Sequence, residues 1–305
     1  MEELYQDFST WIRKKFPFRV QKISIDAGFS CPNRDGKVGI GGCSFCDNRT
    51  FNPSYCNPKT SITEQLIAGK AFFSLKYPAM KYLAYFQAYS NTYADLPTLQ
   101  RRYEEALGCD DVVGLVIGTR PDCVDDELLD YLAELSRRTF LLLEFGIESA
   151  NVTTLRRINR GHDFHCSQTA IMKAHDKGIM TGGHVILGLP GEDREESLRQ
   201  AHLISSLPLD VLKIHQMQVI RGTELAHQYE TTPFPVYDID TYIALVADYL
   251  ERLRSSLIVE RFVSQSPSDM LIAPKWGLKN HEFTARLRHY MAEHGLHQGR
   301  LAVEE

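Results

Sequence analysis

The chain of 305 residues contains no apolar run approaching the roughly 20 residues that cross a bilayer, and it opens MEELYQDF, without an apolar leader. These absences argue against a membrane protein or a secreted one, and a cytoplasmic location is expected. There is no excess of basic charge: the net charge is −5, so any face that meets nucleic acid must be local. No Gly/Ser-rich linker marks an independent second domain. The cysteines number seven, an odd count in a long chain, which disfavours a disulfide framework and points to a reducing compartment. With 43% hydrophobic residues, the chain can build one large core with a small appendage.

Three of the cysteines are crowded into one glycine-rich stretch, CPNRDGKVGIGGCSFC. Cys31, Cys43 and Cys46 follow the spacing C-x11-C-x2-C. Three thiolates can hold three irons of a [4Fe-4S] cluster and leave the fourth iron open to another ligand. Phe45 is an apolar neighbour able to shield such a group. The competing assignment is a structural zinc site with Cys56 as fourth ligand, although zinc loops usually present two close pairs. Cys109, Cys123 and Cys166 read as ordinary thiols in the interior.

Short apolar runs alternate with amphipathic segments along the chain. Strands are expected at 22–28, 82–89, 112–118, 140–146, 183–188 and 212–219, each nearly continuous in apolar residues, as in parallel sheets covered on both faces. Helices are expected at 62–77, 99–107, 126–137, 167–177 and 195–206. The helix at 126–137 opens with acids and closes on Arg137 and Arg138, matching the helix dipole. Each βα unit takes about thirty residues, which predicts an α/β fold, a parallel (β/α)6 partial TIM-type barrel. It would occupy 22–235, after an N-terminal extension at 1–21. A C-terminal extension at 236–305 would carry helices at 239–254 and 282–294 and a further strand at 258–265. Sites in this architecture gather at the C-terminal strand ends, where the cysteine loop would also lie.

The other strand ends are polar. Glu144 and Glu148 share one face of the fourth strand. An inward carboxylate needs a partner, so Glu144 either meets a ligand hydroxyl or ammonium or pairs with Arg120 or Lys213. His215 reads as a core histidine or a catalytic one. Arg156 and Arg157 fit a solvated helix face, whereas Arg160, where Gly161 stops the helix, can turn back to the barrel mouth and grip a carboxylate.

CSFC, FGIES followed by RRINRGH, and HVILGLPGE together resemble the radical S-adenosylmethionine (SAM) superfamily. The resemblance covers roughly residues 22–218. It extends to the radical-SAM half of the catalytic subunit of Elongator, and more closely to small bacterial proteins related to it, through GGCSFC, FQAYSNTYA, TRPDC and APKWGLKN. The resemblance implies that Cys31, Cys43 and Cys46 ligate a [4Fe-4S] cluster and that SAM completes the fourth iron. Arg160 would bind the SAM carboxylate and Glu148 its ribose, with Gly188 and Gly191 passing along the adenine. Where many members carry a Gly-Gly-Glu-like run for the SAM amine, this chain has QAYSNT, so Gln87, Ser90 or Thr92 would accept its hydrogens; the ligand stays open among them, with Glu144 a further candidate for contact. The implied activity is reductive cleavage of SAM to a 5′-deoxyadenosyl radical, fed by a one-electron donor of flavodoxin or ferredoxin type.

Some members of the resembled family act on the wobble uridine of tRNA, which implies a tRNA substrate here; a small metabolite, a protein side chain, or a non-catalytic metal-binding role are the alternatives. The acetyltransferase half of the Elongator subunit is not expected here, so that enzyme's full acetyl-dependent reaction is not implied. Three basic groups bear on RNA: Arg13, Lys14, Lys15, Arg19 and Lys22 interleaved with Trp11, Phe16 and Phe18; Lys275 and Lys279 around Trp276; and Arg286 with Arg288. They read either as phosphate and base contacts or as solvated faces with hydrophobic anchors.

Overall fold

The computed structural model describes residues 3–74 and 79–303. Nine strands are described: β1 Val20–Ile25, β2 Lys81–Phe86, β3 Val112–Thr119, β4 Phe140–Glu148, β5 Met180–Leu187, β6 Val211–Gln216, β7 Val219–Ile220, β8 Ile258–Arg261 and β9 Leu271–Ala273. The described helices are α1 Phe8–Lys15, α2 Ile62–Ser74, α3 Leu96–Leu107, α4 Asp126–Arg138, α5 Val152–Arg157, α6 Phe164–Asp176, α7 Arg194–Ser205, α8 Glu224–Thr231, α9 Ile239–Arg252 and α10 Asn280–Glu293.

Seven strands form one parallel sheet in the order β1-β2-β3-β4-β5-β6-β8, curled into a half-barrel, and β7 pairs with β9 in a separate ribbon. The partial TIM-type fold is the expected one. The six strands expected from the apolar runs are all present, with ends displaced by no more than three residues. The strand expected at 258–265 is β8, which extends the barrel sheet to a seventh strand. Side-chain caps explain the earlier starts of two helices. Asp95 accepts from the Thr98 amide at 2.9 Å and starts α3 at Leu96; Asp163 accepts from the Cys166 amide at 2.9 Å and starts α6 at Phe164. The helix expected to 77 is α2, whose last expected residues lie outside the described ones. Helices α1 and α8 were not anticipated.

Alternation along each strand sorts the core. Leu141, Leu143, Phe145 and Ile147 of β4 face the helices, in one large cluster with Ile23, Leu115, Leu212 and the apolar faces of α4, α7 and α9. Leu142 points the other way and joins Leu83, Val116, Val211 and Ile258 at the N-terminal end of the barrel interior. Helix α1 closes that end with Phe8 and Ile12, and Trp11 and Phe16 pack beside them, each ring within 6.3 Å of Phe140. Trp11 and Phe16 of the basic N-terminal stretch are therefore anchors, and Phe18 packs on Phe16, 5.6 Å between rings. Trp276 is another: it lies 5.1 Å from Tyr242 and donates to the Tyr237 carbonyl at 3.1 Å.

Replacing Ile12 by alanine should lower the unfolding free energy by about 2–4 kcal/mol in urea titration. Lys14→Ala, on the exposed side of α1, should stay within about 0.5 kcal/mol. Equal effects would mean that α1 does not plug the barrel.

Candidate active site

After β1 the chain makes a long excursion before α2, and this loop carries the three cysteines. It is laced to itself and to the turn after α5. The Val38 amide donates to Pro32 and the Gly42 amide to Asn33, each at 2.8 Å. Across to the turn, the Ser44 amide donates to Ile158 at 2.9 Å and the Asn159 side chain to Gly42 at 2.8 Å, while Asn33 donates back to the Asn159 carbonyl. Cys31, Cys43 and Cys46 come together on the wall of one cavity of about 250 Å³.

The donors around them suit thiolate ligands. Arg160 Nη1 lies 3.5 Å from Cys43 Sγ, and Asn33 Nδ2 lies 3.7 Å from it. Burial, with Cys43 beside it, pushes Cys46 up to about 11, against the pull of Arg34; a bound metal would supply the charge that releases that proton. Cys56 stands elsewhere. Its thiol donates to the Ser24 carbonyl at 3.1 Å, and burial followed by Asp26 pushes it up to about 12. Cys56 does not line the cavity of the other three, and among the described residues no three His, Cys, Asp or Glu side chains stand close enough to hold a single ion.

Arg160 and Glu148 meet on the same cavity wall. The register of β4 against β5 breaks between Gly146 and Glu148, and Glu148 adopts φ +67°, a left-handed conformation uncommon for glutamate. Its carboxylate thereby comes within 3.4 Å of the Arg160 guanidinium. Gly146 makes this possible. A Cβ there would stand 2.5 Å from Glu148 Oε1 and 2.6 Å from Arg160 Nη2, a crowding that sequence inspection did not reveal. Burial disfavours the charged form of Arg160, but Cys43 and Glu148 outweigh it and raise its pKa. Its Nε is buried without a partner, so a donor remains for an incoming anion. Arg120 braces the turn by donating to the Arg160 carbonyl at 2.9 Å and forks onto Asp122 with two bonds of 2.8 Å.

The remaining candidates divide. Gln87 and Ser90 line the cavity with the cysteines; the Ser90 hydroxyl is buried without a hydrogen-bond partner, whereas Gln87 meets Ser24 Oγ at 3.1 Å. Thr92 is not brought there: its hydroxyl is engaged by Thr119 Oγ1 and the Cys123 carbonyl, at 2.5 and 2.6 Å. Gly188 and Gly191, with φ of +85° and +91°, form the turn after β5, but Leu189 between them supplies the cavity contact. Arg157 is exposed, as expected of a solvated helix face, and donates to the Pro190 carbonyl at 2.8 Å.

Below the cysteines the floor is ionic. Glu144, only 1% exposed, pairs with Lys213 at 2.6 Å, Lys22 at 3.2 Å and His184 at 3.0 Å. Of its two expected partners, Lys213 is found and Arg120 is not. Burial alone would raise the Glu144 pKa, yet Lys213, Lys22 and His184 hold it well below the usual carboxylate range. Glu260 of β8 completes the layer, 2.6 Å from Lys22 and 3.5 Å from Lys213. His215 meets Ser264 and Arg261.

The profile of the radical SAM superfamily matches residues 31–202, beginning at the first cysteine of the loop. The chain belongs to the radical SAM superfamily. The radical SAM C-terminal domain matches residues 209–293. The uncharacterized protein YtqA of Bacillus subtilis is 36% identical over 98% of this chain and 93% of its own length. A tRNA uridine(34) acetyltransferase of Methanocaldococcus jannaschii is 24% identical over 60% of this chain and 34% of its own. Among solved structures, the Methanocaldococcus infernus Elp3 superposes with a TM-score of 0.69 at 17% identity, over 92% of this chain and 64% of that one. The family implies a [4Fe-4S] cluster and SAM, and the three converging cysteines with Arg160 and Glu148 beside them fit both groups.

Two histidines of the floor give the site a pH signature. Burial, then Arg261, hold His215 well below the ordinary histidine range; burial and Lys213 lower His184 against the pull of Glu144. Both therefore take up a proton less readily in the fold than in the unfolded chain, which does so below about pH 6.5. Stability is therefore full above that pH and falls as the pH drops, by up to about 1.4 kcal/mol per unit for each histidine. Glu144, with its lowered pKa, adds its own loss only below about pH 4.5. Urea midpoints measured between pH 5 and 7 should fall less steeply in His215→Gln than in the parent; an unchanged slope would show that His215 takes up its proton over the same pH range in the folded protein as in the unfolded chain.

Proposed function

We propose that this protein reductively cleaves SAM and uses the product radical to modify the side chain of the wobble uridine in tRNA, in the cytoplasm. The observation that carries the reading is the convergence of Cys31, Cys43, Cys46, Arg160 and Glu148 on one cavity. The three thiolates would hold a [4Fe-4S] cluster. Arg160 would receive the SAM carboxylate on its free Nε, Glu148 would accept from the ribose hydroxyls, and Ser90 or Gln87 would accept from the amine. When bound, the cluster and SAM supply a strongly oxidising 5′-deoxyadenosyl radical and methionine, after one electron from a flavodoxin- or ferredoxin-type donor. The chain's own part is to position both groups and keep water out; the apolar plug below and the laced loop above serve that end.

The tRNA assignment is supported by the likeness to the archaeal uridine(34) acetyltransferase over 60% of the chain. The aromatics of the basic stretches are used in packing, which leaves Arg13, Lys14, Lys15, Lys275, Lys279 and Arg286 as exposed or half-exposed phosphate contacts. Arg288 is engaged by Tyr5 and Asp7.

Anaerobically reconstituted protein with dithionite and SAM should release 5′-deoxyadenosine, and bulk tRNA from a strain lacking the gene should increase the release. Release indifferent to tRNA would move the substrate to a metabolite or protein; no release from protein with a full cluster would sink the reading. Cys43→Ala should abolish cleavage, while Cys56→Ala should keep its iron content.

A further inference from the structure

In the ionic layer of the barrel interior, one cation among the described residues is left without a carboxylate. In the ionic layer Lys22 and Lys213 offset Glu144 and Glu260. Burial and cationic neighbours disfavour the charged forms of His184 and His215, against the pull of Glu144 on His184. Tyr85, raised well above the ordinary range by burial and Glu144, keeps its proton and receives a bond of 3.0 Å from Lys213. That leaves Arg261. No carboxylate pairs with it among the described residues; its recorded partner is the His215 ring, 3.3 Å from Nη2 to Nε2. Its Nε is buried and unpartnered.

The position is a built one. Arg261 ends β8 and pairs in register with Lys213, which pairs in turn with His184. The rings of His184 and His215 stand 5.4 Å apart. Ser264 meets His215 at Nδ1, and Arg261 Nη2 lies over the same ring, 3.5 Å from Nδ1 and 3.3 Å from Nε2. All three side chains line the cavity that holds the cysteines. An arginine that lines the cavity with no carboxylate partner among the described residues can turn its guanidinium to an acceptor there, and one uncompensated positive charge matches one negative charge.

We propose that Arg261, flanked by His184 and His215, is the substrate subsite for a singly charged oxyanion, a carboxylate or a phosphodiester. It is separate from Arg160, which stands beside Cys43 at the cluster loop. A phosphodiester would come from a nucleic-acid backbone, a carboxylate from a small acid or an acidic group on a base. The inference rests on the reading of this cavity as the reaction chamber, but its test does not.

The test is thermal denaturation of the full chain, isolated anaerobically and without SAM, titrated with sodium acetate or sodium dimethyl phosphate against sodium chloride at equal ionic strength. One of the two probes should raise the melting temperature saturably, giving an apparent dissociation constant. Arg261→Gln should weaken that constant about tenfold or more. Arg261→Lys keeps the charge and should weaken it about threefold, through loss of the fork; it carries the test if the glutamine variant does not fold. A response to acetate assigns a carboxylate, and a response to dimethyl phosphate assigns a phosphodiester. No saturable effect beyond chloride, or one unchanged in both variants, overturns the subsite. Because SAM cleavage is not the readout, loss of anion binding with cleavage intact rejects only the subsite. Anion binding without cleavage rejects only the radical chemistry.

Discussion

The pairing of Glu144 with Lys213 is the constraint around which the barrel interior is arranged. A carboxylate 1% exposed and an ammonium 2% exposed have lost nearly all their water, a cost of several kcal/mol per ion that only close partners and further hydrogen bonds offset. Lys22, His184, Tyr85 and Glu260 supply those partners from β1, β5, β2 and β8. The layer thus ties both edge strands of the open sheet to its middle. It also divides the interior. Below it, α1 seals an apolar plug; above it, the walls can stay polar and the space open. A half-barrel packed with leucine throughout would be easier to stabilise but would have no chamber.

The upper half is governed by a second set of ties, between the cysteine loop and the turn after α5. Asn33, Ser44 and Asn159 each bridge the two segments. The turn carries Arg160, and the loop carries the cysteines, so neither can shift without the other. Arg160 reaches Cys43 and Glu148 from this shared frame. Ligand geometry for a cluster and for its partner molecule is therefore set by one hydrogen-bonded unit, with Gly146 leaving the room that the Arg160–Glu148 contact needs.

Much of this was legible in the sequence, for identifiable reasons. The buried strands announce themselves as continuous apolar runs, and α4 announces itself by its terminal charges. The cysteine spacing is local, so the loop could be read whole. What escaped reading depends on distant partners. The fate of Glu144 was left between a ligand and an ion pair with Arg120 or Lys213; the pair with Lys213 forms, and its second cation, Lys22, 122 residues away, was not foreseen. Lys22 itself was grouped with surface basic residues, because a lysine that starts a strand looks the same whether it faces solvent or a barrel interior. Thr92 was chosen for its hydroxyl, but only the fold reveals that Thr119 and Cys123 already engage it. Helix α1 was hidden because its apolar residues read equally well as base-stacking aromatics. The idle donor of Arg261 is a property of what is missing around it, and no sequence pattern encodes that.

The division of the interior also bears on how the proposed substrate would be recognised. With Trp11, Phe16 and Trp276 used as anchors, the exposed surface offers charge but few free rings, so external contacts can attract a polyanion without selecting a base. Selection must then occur inside the cavity, which suits a single extruded group and not a folded RNA. On that reading the surface supplies salt-sensitive affinity, while the chamber between the cysteines and the ionic floor decides which group stays. Chemistry that generates a radical gains from this separation: a weak surface contact brings the substrate near, and only a group that fills the chamber displaces the water that would otherwise share it.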